Sequence, residues 1–358
     1  MMNTRNITTA CMLAGALFAT TSCSKDDDNN NNQPDGAALQ EQILTDVASI
    51  VCEDSYVDMH AKAEALQNAV NTLTAETTDE NLAAAQDAWR AIRTTWEHTE
   101  AWLFGPIDAD EIDPRIDTWP VDFNNLDEIL ANGQTLDEDY INGLDESLKG
   151  FHPIEYLLWG KDGNKTAAGL TDREKEYLTA LTDNLTNLAT DVMDTWQSGY
   201  TAELASAGRG SEEFPTRQAA FLQLVDAMAG ICDEVANAKI KEPFDAADAS
   251  LEESPFAQNS FADFRNNIDG IMLMYQGKFN KDGKGLEDLV KNYNLSLDAD
   301  IKAKHAAALA ALDGFGNVPF GEAITTRQSD VQNAMDKINE LATALEEDLS
   351  GFVLQYVK

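Results

Sequence analysis

Apolar residues recur along most of the chain with the spacing of amphipathic helices. From residue 38 to residue 358 the stretches are long and rich in Ala, Leu, Glu, Asp and Gln, and strand-like alternation is nearly absent. This pattern predicts an all-α fold, with helices at 38–74, 78–104, 137–148, 152–159, 171–203, 212–240, 260–276, 297–313 and 324–355. Thr77 and Glu80 have the spacing of a capping box for the second helix. Gly105 and Pro106 are expected to end that helix.

The helical pattern is interrupted three times, at 160–169, 205–210 and 241–254. The second interruption divides the chain into two parts of similar size, each within the roughly 100–200 residues of a typical domain. We therefore expect two helical bundles, at 37–205 and 206–358, with long irregular connections in each.

The first 22 residues have the features of a bacterial signal peptide. Arg5 supplies a positive charge, residues 7–19 form an apolar run too short to span a bilayer, and small residues precede Cys23. Small residues followed by a cysteine resemble a lipobox, so we expect residues 1–22 to be removed and Cys23 to carry lipid. The alternative is an ordinary cleaved signal with a chance cysteine.

A polar tether follows at 23–36, with no apolar residue between Ser24 and Gly36. Such a tether would hold a folded head away from the membrane. The run Lys25–Asp28 resembles the signal that sends some Gram-negative lipoproteins to the cell surface, although a solvated spacer explains it equally well. We expect an outer-membrane lipoprotein of the cell envelope that faces either the periplasm or the exterior.

The charge of the chain excludes several classes of partner. With 25 Lys and Arg against 63 Asp and Glu, the net charge is −38. Such a surface repels nucleic acid and anionic lipid, so the membrane contact is expected only through the anchor. The same charge favours cations as ligands. A hydrophobic content of 43% is sufficient for a sizeable core.

The cysteines predict no disulfide framework. Cys11 lies in the signal and Cys23 at the lipidation position, which leaves Cys52 and Cys232. Neither belongs to a Cys-x-x-Cys or metal-type spacing. We expect two buried thiols in helices, with a Cys52–Cys232 disulfide as the alternative.

Charged residues interrupt the apolar stripe of the helix at 78–104. Arg93 and Glu100 fall on the same face as Trp89 and Trp96. A charge on a buried face needs a partner or a ligand, so this pair marks either a site or a structural ion pair. Glu97 lies further round the helix, with His98, and both are expected to be solvated.

The segment 150–160 (GFHPIEYLLWG) places His152 and Glu155 three residues apart at the start of an apolar helix. Pro153 suits the first turn of a helix, so the imidazole and the carboxylate should share one face. At that spacing they can bind one metal ion. A capping histidine beside a surface glutamate is the alternative.

A third polar segment lies at 252–277. Asn259, Asp263 and Asn267 gather on one edge of the predicted helix, after Glu253 and Ser254 in the preceding loop. Helix caps and turn residues would explain most of this pattern.

Together these segments resemble the imelysin family, whose members include iron-regulated lipoproteins. Residues 150–155 fit its Gly-x-His-x-x-Glu motif, and 93–105, 119–122 and 253–263 are similar to family segments in the family's order. The resemblance covers essentially the whole mature chain. Ala257 stands where a serine is common, and Pro153 replaces a small non-proline residue.

The resemblance implies an all-helical, two-bundle fold with the functional cleft between the bundles, near His152 and Glu155. It also implies an envelope location and a link to iron uptake. Some members were labelled metallopeptidases, so the family alone leaves the chemistry open.

We first expect a metal-binding lipoprotein for iron acquisition, with an iron-transport protein as a partner. Its ligands would be His152, Glu155 and Glu100, with Arg93 orienting Glu100 or holding a counter-anion. The ion would be iron or zinc. Ser254, Asn259 and Asp263 would support the site.

Two alternatives remain. In a metallopeptidase the general base would be Glu100 or Asp263, since the His-Glu-x-x-His signature is absent. In a non-enzymatic surface module that binds a host or cell-wall partner, the buried charges would be structural only.

Overall fold

The computed structural model describes residues 36–358. The predicted signal peptide, Cys23 and nearly all of the tether lie outside these described residues. Within them there is no β-strand, so the all-α prediction is confirmed. None of the described helices has the length and apolar character needed to cross a membrane.

Eighteen α-helices lie in the described part of the chain. They are α1 (Gly36–Asp46), α2 (Asp54–Ala75), α3 (Asp79–Thr99), α4 (Pro106–Ala109), α5 (Ile112–Asp117), α6 (Phe123–Ala131), α7 (Glu138–Asn142), α8 (Phe151–Trp159), α9 (Asp172–Thr195), α10 (Thr201–Ala205), α11 (Arg217–Glu234), α12 (Lys241–Ala246), α13 (Ser260–Gln276), α14 (Leu286–Tyr293), α15 (Leu295–Asp313), α16 (Phe320–Thr326), α17 (Gln328–Thr343) and α18 (Ser350–Tyr356).

Short π-helical segments join several of these helices end to end. They lie at Val47–Glu53, Trp196–Tyr200, Val235–Lys239 and Ala344–Leu349. Because of the first segment, α1 and α2 form one continuous rod that matches the helix predicted at 38–74. The third segment extends α11 by one turn, and its last residue, Lys239, belongs to the candidate site.

The start of α3 differs from the prediction by one residue. Thr78, not Thr77, is the N-cap, and its hydroxyl accepts a hydrogen bond from the Asn81 backbone N–H at 3.2 Å. Several short helices, including α5, were not predicted at all. A helix of six residues spans fewer than two turns, so apolar periodicity gives it almost no signal.

The helices that carry the site come from both parts of the sequence. Helices α2, α3 and α9 pack together, with α8 against α3, while α11, α13, α15 and α17 pack against one another. Helix α13 lies directly along α3. The approach is close at Gly270, where an added Cβ would stand 2.4 Å from the His98 carbonyl oxygen. Residues 35–358 form one compact unit, and the bundle boundary at 205 and 206 stays a prediction.

The two cysteines of the described chain are free thiols. Cys52 and Cys232 are both fully buried, as predicted, and neither forms a disulfide. Burial raises the pKa of the Cys52 thiol well above its ordinary value. These cysteines therefore pack as small apolar side chains.

Candidate metal-binding site

A buried arginine on α3 is surrounded by carboxylates. The Arg93 guanidinium is fully buried and forms ion pairs with Glu97 and Asp117. It also lies 2.8 Å from Glu253 Oε1 and 3.5 Å from Asp263 Oδ1. Since Asp117 and Glu253 lie far apart in the sequence, this one side chain connects the two halves of the chain.

His152 lies in the first turn of α8, buried against Asp117. Its Nε2 is 3.0 Å from Asp117 Oδ1, and its Nδ1 is 3.5 Å from Glu155 Oε2. Burial disfavours the charged ring, but the Asp117 and Glu155 carboxylates outweigh burial and raise the pKa of His152 to about 9. The ring therefore carries a proton at neutral pH.

Gly150 allows α8 to begin at this point. It is the N-cap of α8 with φ +80°, a conformation that favours glycine. A Cβ here would stand 2.1 Å from the Ile116 carbonyl oxygen. Because Ile116 directly precedes Asp117, the glycine brings the start of α8 against the residue that contacts the imidazole.

Part of the His152–Glu155 pair lacks hydrogen bonds. Glu155 Oε1 accepts from the Ala257 backbone N–H at 2.7 Å. Among the described residues, however, Glu155 Oε2 and both ring nitrogens of His152 have no hydrogen-bond partner, although Nδ1 lies 3.5 Å from Glu155 Oε2 and Nε2 lies 3.0 Å from Asp117 Oδ1. Buried polar atoms are normally satisfied, so these atoms are candidates for a ligand.

A second basic group, Lys239, lies among the carboxylates. Its Nζ is 2.9 Å from both Glu100 Oε2 and Glu253 Oε1, and 3.8 Å from Glu97 Oε2. The half-buried ring of Trp119 covers it, with the centroid 5.4 Å from Nζ. Lys239 is thus the direct partner of Glu100.

The residues of α13 and its preceding loop hold this network in place. The Ser254 hydroxyl donates to Asp263 Oδ2 at 2.6 Å, and Asn259 Nδ2 donates to Asp263 Oδ1 at 2.7 Å. Asn267 Nδ2 donates to Glu97 Oε2 at 2.7 Å and also bonds to Glu100. These polar side chains are fixed by hydrogen bonds and, except for Asn259, are fully buried.

The structure brings some of the predicted site residues together and separates others. His152 and Glu155 are adjacent, and Arg93 contacts Asp263. Among the described residues, no hydrogen bond or ion pair joins Glu100 to His152, Glu155 or Arg93. The prediction that Glu97 is solvated is wrong: its side chain is fully buried, because Arg93 one turn earlier pairs with it. His98 is half-buried.

Asp117 and Lys239 were not predicted as site residues, and Trp119 was noted only within the segment 119–122. Lys239 had the same signal that identified Arg93, a charge in an apolar stripe, since it follows buried Cys232 and Ala236 at helical spacing. Asp117 lies in a helix too short for periodicity to detect.

Burial and charge shift the carboxylate pKa values in different directions. Burial raises the pKa of Glu253 to about 7, against the lowering effect of Lys239 and Arg93. Burial also raises the pKa of Glu97 well above its ordinary value. In contrast, the pKa of Asp117 falls far below its ordinary value despite burial, because Arg93 and His152 stabilise the anion. Asp117 is thus the firmly ionised member of the group.

A small cavity adjoins His152. Its volume is about 20 Å³, and Trp119, His152 and Glu253 are among the residues that line it. This volume is enough for about one water molecule. This cavity therefore has room for one water or one small ion.

The fold and the site together define an all-helical protein with a buried carboxylate–histidine centre. The family model described as imelysin matches residues 53–350. This chain belongs to the imelysin family, as the sequence motifs indicated.

Named relatives agree with this assignment. Iron-regulated protein A of Synechococcus elongatus is 34% identical over 247 residues, which are 68% of this chain and 66% of that protein. The match therefore spans just under two thirds of the relative's length. A crystal structure described as an iron-regulated protein A precursor, from Parabacteroides distasonis, has a TM-score of 0.80 at 27% identity and covers 92% of this chain and 97% of its own.

A second solved structure supports the fold alone. It is an imelysin-like protein from Psychrobacter arcticum, with a TM-score of 0.70 at 15% identity. The match covers 87% of this chain and 95% of that structure. The imelysin-like, all-helical fold is thus common to all three chains.

Proposed function

We propose that this protein is an envelope-anchored lipoprotein that binds a metal ion, with iron as the expected cargo, and serves iron acquisition. One observation carries the proposal. His152 Nδ1 and Glu155 Oε2 are buried, lack hydrogen-bond partners and lie 3.5 Å apart. They are a nitrogen and an oxygen donor held side by side.

The spacing suits two ligands of one ion. Ligand atoms at about 2.1 Å from an ion and roughly 110° apart lie about 3.4 Å from each other. The observed 3.5 Å between His152 Nδ1 and Glu155 Oε2 is close to this value. Because both atoms are buried, the remaining positions of the ion would be filled by other protein groups or by a water in the small cavity that His152 lines.

Asp117 has the role of an orienting partner in this arrangement. Histidine ligands usually present their other ring nitrogen to a carboxylate, which fixes the ring and raises its basicity. His152 Nε2 lies 3.0 Å from Asp117 Oδ1, and Nδ1 is the ring nitrogen beside Glu155, so we assign Nδ1 as the donor to the ion. Arg93 in turn holds Asp117, which connects the orienting partner to the rest of the network.

Charge and ligand type favour a hard cation such as iron, although zinc remains compatible with the His–Glu pair. The net charge of −38 raises the local concentration of any cation. Two of the similar proteins carry iron regulation in their names. We infer the same link to iron for this chain, together with an iron-transport protein as a partner.

The size of the site favours binding over peptide cleavage. A peptidase has to seat a segment of polypeptide against its metal and its general base. Here the cavity beside His152 holds about one water molecule. In addition, both oxygens of Asp263, a candidate base, already accept hydrogen bonds from Ser254 and Asn259.

The envelope location rests on the sequence around Cys23. Replacing Cys23 with alanine should move the protein from the membrane fraction to the soluble fraction, because no lipid can then be attached. Fractionation of cells that express each form measures this. If the Cys23→Ala protein stays with the membrane after a salt wash, the lipid anchor is not what holds it there.

Isothermal titration of the metal-free full chain in detergent tests the binding itself. We expect one ferrous or zinc ion to bind at micromolar concentration or below. The affinity should rise with pH, by up to about tenfold per unit below pH 9, because the ion has to replace a proton on His152. No binding of iron or zinc at micromolar concentrations would reject the proposed function.

A further inference from the structure

A second position for a cation lies among the carboxylates next to this site. Four buried residues, Glu97, Glu100, Asp117 and Glu253, each offer an oxygen atom within 4.8 Å of the others. Oxygens on opposite sides of a calcium ion, with bonds of about 2.4 Å, are about 4.8 Å apart. The four oxygens are therefore close enough together to ligate one ion of this size.

That position is filled by a side chain of the protein. Lys239 Nζ lies within 3.8 Å of three of the four carboxylates and within hydrogen-bond distance of Glu100 and Glu253. Lysine is rarely buried, but Lys239 is 1% exposed. It also lies in the last turn of its helix, where the backbone favours positive charge.

Unpartnered acceptors nearby indicate that this position suits a cation with more bonds than an ammonium offers. Glu253 Oε2 and Asn267 Oδ1 are buried and have no hydrogen-bond partner among the described residues. Lys239 has only three N–H groups, which Glu100 and Glu253 largely occupy. A metal ion with six or more oxygen ligands has room for the second oxygen of Glu253 as well.

We propose that Lys239 acts as a built-in cation that excludes a metal ion from this carboxylate group, so that the chain binds an ion only at His152 and Glu155. Removing the ammonium leaves Glu100 without its basic partner and leaves Glu253 with Arg93 alone among the described basic side chains in contact with it. The vacated volume and the carboxylates that lose their partner then create a calcium site. This inference goes beyond the proposed function, since it concerns a different ion position.

The test compares the calcium response of Lys239→Ala with that of the wild type, in the full chain. In calcium-free buffer the variant should melt at a lower temperature. Calcium at about 1–10 mM should then raise its Tm by roughly 5 °C or more, and should raise the wild-type Tm much less. Calcium titration should show one additional bound ion in the variant.

Two controls separate this result from weak binding at the acidic surface. Lys149 is equally buried but donates to the carbonyl oxygens of Asn142 and Leu144, so Lys149→Ala should gain no calcium response. Lys239→Ala combined with Glu253→Gln should lose most of the gain. A calcium response of Lys239→Ala that equals that of the wild type would overturn the proposal.

If Lys239→Ala fails to fold without calcium, refolding in calcium becomes the measurement, and failure to refold there also overturns the proposal. A wild-type protein that binds no iron or zinc would reject the proposed function, but it would not change the expected calcium response of Lys239→Ala.

Discussion

Replacing Arg93 with methionine should lower the free energy of unfolding by about 3–5 kcal/mol, because it leaves buried carboxylates without their main partner. Arg93 forms ion pairs with four carboxylates. Its side chain is fully buried, so water cannot take the place of the guanidinium in these ion pairs. We expect Asp117 to be affected most, because Arg93 is the neighbour that lowers the pKa of the Asp117 carboxyl group most. Urea denaturation followed by circular dichroism measures the change.

Arg90 provides a matched control on the same helix. It stacks on Trp159 at 4.7 Å, donates one hydrogen bond to the Ala257 carbonyl oxygen at 3.2 Å, and its side chain is 41% exposed. Because water can solvate whatever Arg90→Met leaves behind, we expect a loss of about 1 kcal/mol or less. Equal losses for the two variants would show that the carboxylates around Arg93 are not dependent on its charge.

Ion binding should distinguish Glu155 from Glu100, although both were predicted ligands. We expect His152→Ala and Glu155→Gln each to weaken binding of iron or zinc by about 100-fold or more, because each removes a donor atom. Glu100→Gln should weaken binding much less than either of these variants, since Glu100 is bonded to Lys239 and Asn267 and supplies no donor atom to the ion. Isothermal titration of each variant gives the ratios.

His60 on α2 is the control for loss of an imidazole. It makes no hydrogen bond or ion pair with His152 or Glu155, so His60→Ala should bind the ion like the wild type. If Glu100→Gln loses as much affinity as Glu155→Gln, the ion lies closer to Lys239 than the proposed position between His152 and Glu155. If His152→Ala binds normally, the imidazole is not a ligand.

The long helices were predictable because their periodicity is strong. Helix α13 begins and ends at the predicted residues, 260 and 276, and α8 begins one residue early. The short helices α4 and α5 were not predicted, since they contain fewer than two turns, too few for a hydrophobic stripe. Their positions depend on tertiary packing, as shown by Ile116, whose carbonyl lies against Gly150.

The site was predictable where polar residues stand out within an apolar helix. Arg93 was identified as a charge in an apolar stripe, and His152 and Glu155 by their spacing at the start of an apolar helix; all three are buried. The partners of these residues could not be predicted from the local sequence. The carboxylates that face Arg93 are set by the contact between α3 and α13 and by the loop that carries Glu253.

Gly270 lies outside the charged network, but it affects the geometry of that network. Its missing side chain lets α13 rest on the His98 carbonyl, one residue after Glu97. Asn267, one turn earlier on α13, reaches both the backbone and the side chain of Glu97. A methyl group at residue 270 would push α13 away from α3, and the Asn267 amide would then lose its hydrogen bonds to Glu97. The alignment of the charged centre thus depends on a position that carries no functional group at all.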